Sequence, residues 1–196
     1  MSGLGLIDLK QLVGRCLAGD QGAMLQLVER YRGQVFGLCY RMLGQRQDAE
    51  DAAQETFVRV LKNLHRWDQA RQFEPWLLAI AGNRCRTALS GRKRRLVAEP
   101  SVEWVADDAP DQRAAQQLAE EVHLALSAVR PEYRQAFVLF HDRELSYAEI
   151  AVAMEVPLGT VKTWVHRARR ELINLLRNRG AVPPERSVSQ HAVPRV

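Results

Sequence analysis

The sequence predicts an all-α protein: two small helical domains joined by an acidic, flexible linker, the second domain carrying a helix-turn-helix. Three observations predict it. Apolar residues recur at helical spacing almost throughout, and no long alternating run suggests a sheet. Residues 96–112 hold five acids (Glu99, Glu103, Asp107, Asp108 and Asp111), two prolines and no Lys or Arg, a composition that marks a linker. The stretch Leu145–Leu176 carries two helix starts separated by a tight turn. The expected division is residues 1–95, the linker 96–112, residues 113–177, and a proline-bearing tail 178–196 expected to be disordered.

Leu9, Leu12, Val13, Cys16 and Leu17 give a first short amphipathic helix. After the Gly19 break, Asp20 can cap a second, whose stripe of Leu27, Val28, Tyr31, Val35, Leu38, Cys39, Met42 and Leu43 runs to Gly44. Gly33 and Gly37 lie inside it and weaken it. Asp48 opens a third helix, with acid in the first turn where the helix dipole favours it. Ala49, Ala52, Ala53, Phe57, Val60, Leu61 and Leu64 can form its buried side, leaving Asp51, Gln54, Glu55, Arg59 and Lys62 largely outside. The plain reading of that outer face is solvated surface with a Glu55–Arg59 pair, worth about 0.2–0.5 kcal/mol. Asp48, Glu50 and Asp51 make a poor metal site, because no His joins them and first-turn acids need no metal to explain them.

A polar loop follows, bounded by Trp67 and Phe73, and Pro75 sits just inside the start of a fourth helix. Leu77, Ile80, Ala81, Cys85 and Ala88 make its inner stripe, while Ala79, Asn83, Arg86 and Ser90 share another face. From Arg84 to Arg95 there are six basic residues (Arg84, Arg86, Arg92, Lys93, Arg94, Arg95) and no acid. Rings beside a polar loop that feeds a basic helix suit single-stranded nucleic acid, whose bases stack while cations hold the backbone. Equally, Trp67, Phe73 and Trp76 can be core and the basic run a solvated helix end.

Beyond the linker, a helical pattern starts at Arg113 with Leu118, Val122, Ala125, Leu126 and Val129, and Pro131 starts another with Tyr133, Phe137 and Phe140 inward. Ser146 and Glu149 stand in capping-box register. Pro157 and Gly159 then break the chain, and Thr160 can cap the last helix. On that helix Val161, Val165, Ala168, Leu172 and Leu175 face inward. Thr160, Thr163, Arg167 and Arg170 lie on the other side, flanked by Lys162, His166 and Arg169. Such a face suits a DNA major groove: Arg bonds guanine bidentately, Thr meets bases or a thymine methyl, Lys neutralises phosphate.

Bulk properties bound the rest. The 196 residues carry a net charge of +5 and a pI near 9.4, which permits a polyanionic partner without demanding one. Cys16, Cys39 and Cys85 are odd in number and far apart, so a disulfide framework or zinc site is not expected and a reducing cytoplasm fits. No signal peptide or membrane span is read from the sequence.

Four segments in order carry a resemblance: D-A-E-D-A-A-Q-E-T-F from Asp48, W-L-L-A-I-A-G-N-R-C-R from Trp76, R-P-E-Y-R-Q-A-F-V-L from Arg130, and L-S-Y-A-E-I-A through G-T-V-K-T-W-V-H-R-A-R from Leu145. Together they resemble the extracytoplasmic-function (ECF) sigma factors, two-domain initiation factors of bacterial RNA polymerase. The resemblance implies that Asp48, Asp51, Gln54, Glu55 and Phe57 meet the clamp of the polymerase's largest subunit. It implies contact with the flap of the second-largest subunit as well. Trp67, Phe73, Trp76, Asn83, Arg84, Arg86, Arg92 and Lys93 would take the −10 element, melt it and hold a flipped base. Thr160, Lys162, Thr163, His166, Arg167 and Arg170 would read the −35 element. The linker would run through the polymerase active-site and RNA-exit channels. An anti-sigma partner is implied, and neither catalysis nor a cofactor. One residue departs: many members carry Arg where Trp164 stands, so the −35 sequence read here is expected to differ.

Two other classes fit less well. A plain regulator with a helix-turn-helix would bind duplex DNA alone and need no acidic docking helix. A nuclease or recombinase would need a carboxylate cluster, phosphate loop or nucleophile–base pair, and none is evident.

Overall fold

Caps and left-handed turns set the limits of the first bundle. The computed structural model describes residues 8–95 and 110–182, with the side chains of 92–95 and 110–117 left out. Asp8 caps α1 (Leu9–Leu17). Gly19 turns the chain with a φ of 86°. Asp20 then caps α2 (Gln21–Leu43) by accepting from the Ala23 amide at 3.0 Å, while Arg15 binds its other oxygen at 2.6 Å. Gly44 ends α2 at a φ of 84°, where a side chain would be strained. α3 (Arg46–Asn63) starts ahead of the expected Asp48, so that carboxylate lies in the first turn rather than at the mouth. A 3-10 turn, Leu64–Arg66, leads to the polar loop and α4 (Phe73–Arg95).

The second bundle begins with α5 (Pro110–Ala128), which reaches back past the expected Arg113. Pro131 opens α6 (Pro131–His141). The Ser146 hydroxyl accepts from the Glu149 amide at 3.2 Å and the Glu149 carboxylate accepts from the Ser146 amide at 2.8 Å, which completes the capping box of α7 (Tyr147–Met154). Glu155 is left-handed at a φ of 55° and makes the turn. α8 (Leu158–Asn178) corrects one expectation: its cap is Pro157, not Thr160. The Pro157 carbonyl accepts from the amides of Thr160 at 2.9 Å and Val161 at 3.3 Å, so the helix has begun before Thr160 and Gly159 sits inside its first turn.

α2 is the centre of the first bundle, packed by α1, α3 and α4, and α8 rests on α5, α6 and α7. One apolar core runs through both bundles, from Val13, Leu38 and Leu77 to Ile150, Val161 and Leu172. Each large side chain buried there contributes about 1.5–3 kcal/mol. The bundles meet where α2 and α4 receive α5, α6 and α7. Leu118, expected inward on α5, is 49% exposed. Among the described residues there is no strand, and no helix is long and apolar enough to cross a membrane. The acidic linker falls largely on 96–109 and most of the tail on 183–196, both outside the described residues.

Candidate nucleic-acid interface

α8 carries the clearest surface. Val161, Val165, Ala168 and Leu172 are buried along one side, while Lys162, Thr163, His166, Arg167 and Arg170 are exposed and Thr160 is half-buried. The Thr163 hydroxyl donates to the Gly159 carbonyl at 2.8 Å. Arg167 is pre-positioned: its guanidinium donates to the Tyr133 hydroxyl at 2.9 Å and lies 5.9 Å from that ring's centre. Arg169 reaches His141 at 3.1 Å, and burial followed by the Arg169 charge pulls the His141 pKa below its ordinary value. Trp164 is half-buried, 6.2 Å from the Tyr133 ring, so it packs where a cation was the alternative.

The loop and α4 are different. Trp67 is 7% exposed and Phe73 2%. Their rings meet edge-on at 5.1 Å, and Phe73 also meets Tyr31 at 5.2 Å and Trp76 at 5.5 Å. Of the two readings left open, Trp67 and Phe73 are core in this conformation, with Tyr31 of α2 packed on Phe73. Trp76 is half-buried and Asn83 exposed. Arg86 donates to the Asn83 side chain, and the Thr87 hydroxyl to the Asn83 carbonyl at 3.0 Å. The side chains of Arg92 and Lys93 lie outside the described residues. Ala79, on the face grouped with Asn83, is buried at 7%.

On α3, Asp51, Gln54 and Glu55 are exposed and Asp48 and Phe57 half-buried. Glu55 does not pair with Arg59. It binds Arg84 of α4 through two contacts, one of 2.7 Å, so an expected polymerase contact and an expected DNA contact hold each other and tie α3 to α4. Gln54 and Phe57 line a groove of about 650 Å³ between α2 and α3, whose floor includes Val28, Gly33, Phe36 and Ala53. Val58, 48% exposed, and Leu61 extend it, while Arg32, Arg46 and Glu50 rim it. Among the described residues no group of three His, Cys, Asp or Glu could hold a metal.

Sequence reasoning also missed a polar layer beneath these surfaces. Arg134 is 4% exposed and donates to the Val129 carbonyl at 3.0 Å and to those of Ser127 and Met42. Burial pulls it down to about 10, still protonated near neutrality. Cys85 is buried near it, with Cys39 buried against Cys85. The hydrogen bond to Cys85, then burial, pushes the Cys39 thiol up, so it stays protonated.

Comparison with known proteins gives these surfaces a family. A model of sigma-70 region 2 matches residues 27–95, and one of sigma-70 region 4 matches residues 119–172. The ECF RNA polymerase sigma factor SigW of Bacillus subtilis is 32% identical over 182 residues, covering 87% of this chain and 97% of that protein. The solved structure of CnrH in complex with the cytosolic domain of CnrY is similar with a TM-score of 0.62 and 26% identity over 85% of this chain and 96% of that one. RpoE of Bartonella quintana, solved with the anti-sigma factor NepR, shares the fold with a TM-score of 0.63 at 19% identity over 78% of this chain and 95% of its own. With both regions matched in order and a relative this similar along nearly its whole length, the chain belongs to the ECF sigma factors, which direct RNA polymerase to promoters.

Proposed function

We propose that the two bundles divide the work of initiation residue by residue. α8 reads the −35 element in the major groove through Lys162, Thr163, His166, Arg167 and Arg170, with Thr160 at the groove's edge. The open side of α4, with Asn83, Arg86 and half-buried Trp76, takes the −10 element, and Arg92 and Lys93 hold phosphates. Trp67 and Phe73 support that surface from beneath. Flipping a base costs a few kcal/mol, which stacking and edge bonding repay, so melting draws on binding energy without bond chemistry.

Asp51 and Gln54, with Phe57 at the mouth of the α2–α3 groove, dock on the clamp of the largest subunit. Asp48 acts through the helix start. Glu55 contributes while holding Arg84. The second bundle meets the flap, the linker follows the RNA path, and the protein acts in the cytoplasm. CnrH was solved in complex with a second protein, the cytosolic domain of CnrY, which supports an anti-sigma partner for this chain.

The observation that carries this reading is the one-sided exposure of α8: every basic or hydroxyl residue expected at DNA is wet or half-wet, and the opposite stripe is dry. Transcription in vitro with purified core polymerase tests it. The expected result is promoter-dependent initiation, and Asp51→Lys should weaken core binding without changing the melting temperature. Tight duplex binding with no stimulation of core would instead support a plain helix-turn-helix regulator.

A further inference from the structure

Arg169 of α8 rests on an unusual neighbour. Its guanidinium meets Nε2 of His141, at the end of α6, at 3.1 Å. A guanidinium has only hydrogens to give, so the ring nitrogen it meets must accept, and His141 is neutral in this arrangement. A proton added to His141 would remove that lone pair and set two cations face to face. No acid relieves them. Asp142, the carboxylate next along the chain, is held by Arg41 of α2 at 2.8 Å. Among the described residues no carboxylate pairs with Arg169, nor with Lys162 and His166, which share one row of α8 with it at helical spacing. Both Arg169 and His141 are exposed. Phe137 at 4.3 Å and Phe140, edge-on at 5.0 Å, brace the imidazole from its own helix, and Phe140 in turn lies flat on Tyr147 of α7 at 4.5 Å. The pair is held in place, faces water and flanks the side of α8 offered to DNA.

We infer that His141 and Arg169 form a seat for one backbone phosphate of the duplex at the edge of the −35 element. The inference deepens the proposed reading of α8 and rests on it. An anion between the two groups reverses their relation. Arg169 and a protonated His141 then both donate to phosphate oxygens, and the phosphate charge stands where an acid is missing. Such a contact fixes where α8 sits on the duplex and carries no base preference of its own. Burial, then the Arg169 charge, holds the His141 pKa below its ordinary value in the free protein, against the weaker pull of Asp142. These are the charged groups that face the imidazole, with Arg41 of α2 occupying Asp142. A bound phosphate raises the pKa. DNA binding therefore takes up a proton: affinity climbs as pH falls through the bound-state value and levels off below the free-state one.

Titration of the full chain with a −35 duplex at fixed salt tests the seat. An opposite charge at hydrogen-bonding distance favours protonation of its neighbour by about tenfold or more. The gain in affinity from pH 8 to pH 6 should therefore be about fivefold larger for the wild type than for His141→Gln, which keeps an acceptor for Arg169 and cannot titrate. Arg169→Gln should flatten the slope of log affinity against log salt by about 0.9, and Arg169→Lys should restore it. Duplexes carrying one neutral methylphosphonate at a time locate the contact. At one position the neutral linkage should abolish the extra pH gain of the wild type and cost Arg169→Gln nothing further. Equal pH responses in wild type and His141→Gln, or no linkage that couples to the pair, overturns the seat. A His141 pKa, followed by NMR, that rises with core polymerase and not with the duplex would give the pair to an acidic protein surface and overturns it too. None of these outcomes touches the reading of α8 itself, which fails separately if Arg167→Ala leaves affinity and base preference unchanged.

Discussion

α8 and α4 both bear expected DNA contacts, and they differ in how many sides are dry. α8 rests on its own bundle, buries one stripe and leaves the other side in water. α4 is packed by α2, α3, α6 and α7, and its buried residues Phe73, Leu77, Leu78, Ala79, Ala81 and Cys85 go most of the way round. A helix with one dry face displays its contacts in its periodicity. A helix clasped from several directions does not, because residues that look outward are covered by distant parts of the chain.

The largest expected effect separates support from contact on α4. Phe73→Ala empties a site between Tyr31, Trp67 and Trp76 and should cost about 3–5 kcal/mol of stability, read by denaturant unfolding. Trp76→Ala should cost less stability and more −10 strand binding, because its ring is half exposed. If Phe73→Ala kept full stability and lost only strand binding, the loop rings would be a stacking platform and the contrast with α8 would fail.

How much the sequence disclosed follows the same division. The Ser146–Glu149 box, the Asp20 cap, Gly44 and Pro131 were legible because each acts within a few residues of itself. The buried stripe of α8 was legible because a single face is dry. Thr160 misled because a nearer acceptor, the Pro157 carbonyl, had already started the helix. Gly82 gave no signal, because Gln135 of α6 covers it from across the linker and no local pattern announces that. Glu55 has a ready i,i+4 cation in Arg59, yet Arg84 wins from the neighbouring helix. Arg134 drew no reading of its own from the sequence. Only the fold shows three carbonyls converging on it.

On α8 the contrast predicts function lost without fold. Arg167→Ala should weaken promoter binding by about 1–3 kcal/mol if it reads a base, while unfolding midpoints barely move. Tyr133→Phe removes the hydroxyl that holds Arg167 and should weaken binding less, through a looser guanidinium. Equal affinities across all three proteins, measured by titration at fixed salt, would take Arg167 off the reading face.

A smaller effect tests whether α7 is secured locally. Ser146→Ala deletes one half of the capping box and should cost about 1 kcal/mol. The loss should appear in the second bundle alone, as faster amide exchange at the start of α7. A loss spread evenly into α1–α3 would mean that the two bundles unfold as one unit.

The smallest effect concerns pH and the seam between the bundles. Burial holds the His123 pKa below its ordinary value, with the charges of Arg134 and Arg41 acting the same way and the Gly44 carbonyl opposing them. The Arg41–Asp142 pair faces it from α2 and the end of α6. A histidine depressed while the bundles are packed together is freer to protonate once they part, where its pKa returns to about 6.5. The parted form therefore takes up the proton first, and the packing weakens as pH falls through that value, levelling off below the depressed one. His141 is depressed too, but its partners Phe137, Phe140 and Arg169 lie on its own bundle, so its titration bears on that bundle and not on the seam. Scattering at pH 7.5 and 5.5 should show the wild-type radius rising at the lower pH. His123→Gln keeps a donor for the Gly44 carbonyl and cannot titrate there, so its radius should hold steady. A wild-type radius indifferent to pH would show that His123 does not feel the state of the seam, and a His123→Gln radius that still rose would place the titrating group elsewhere.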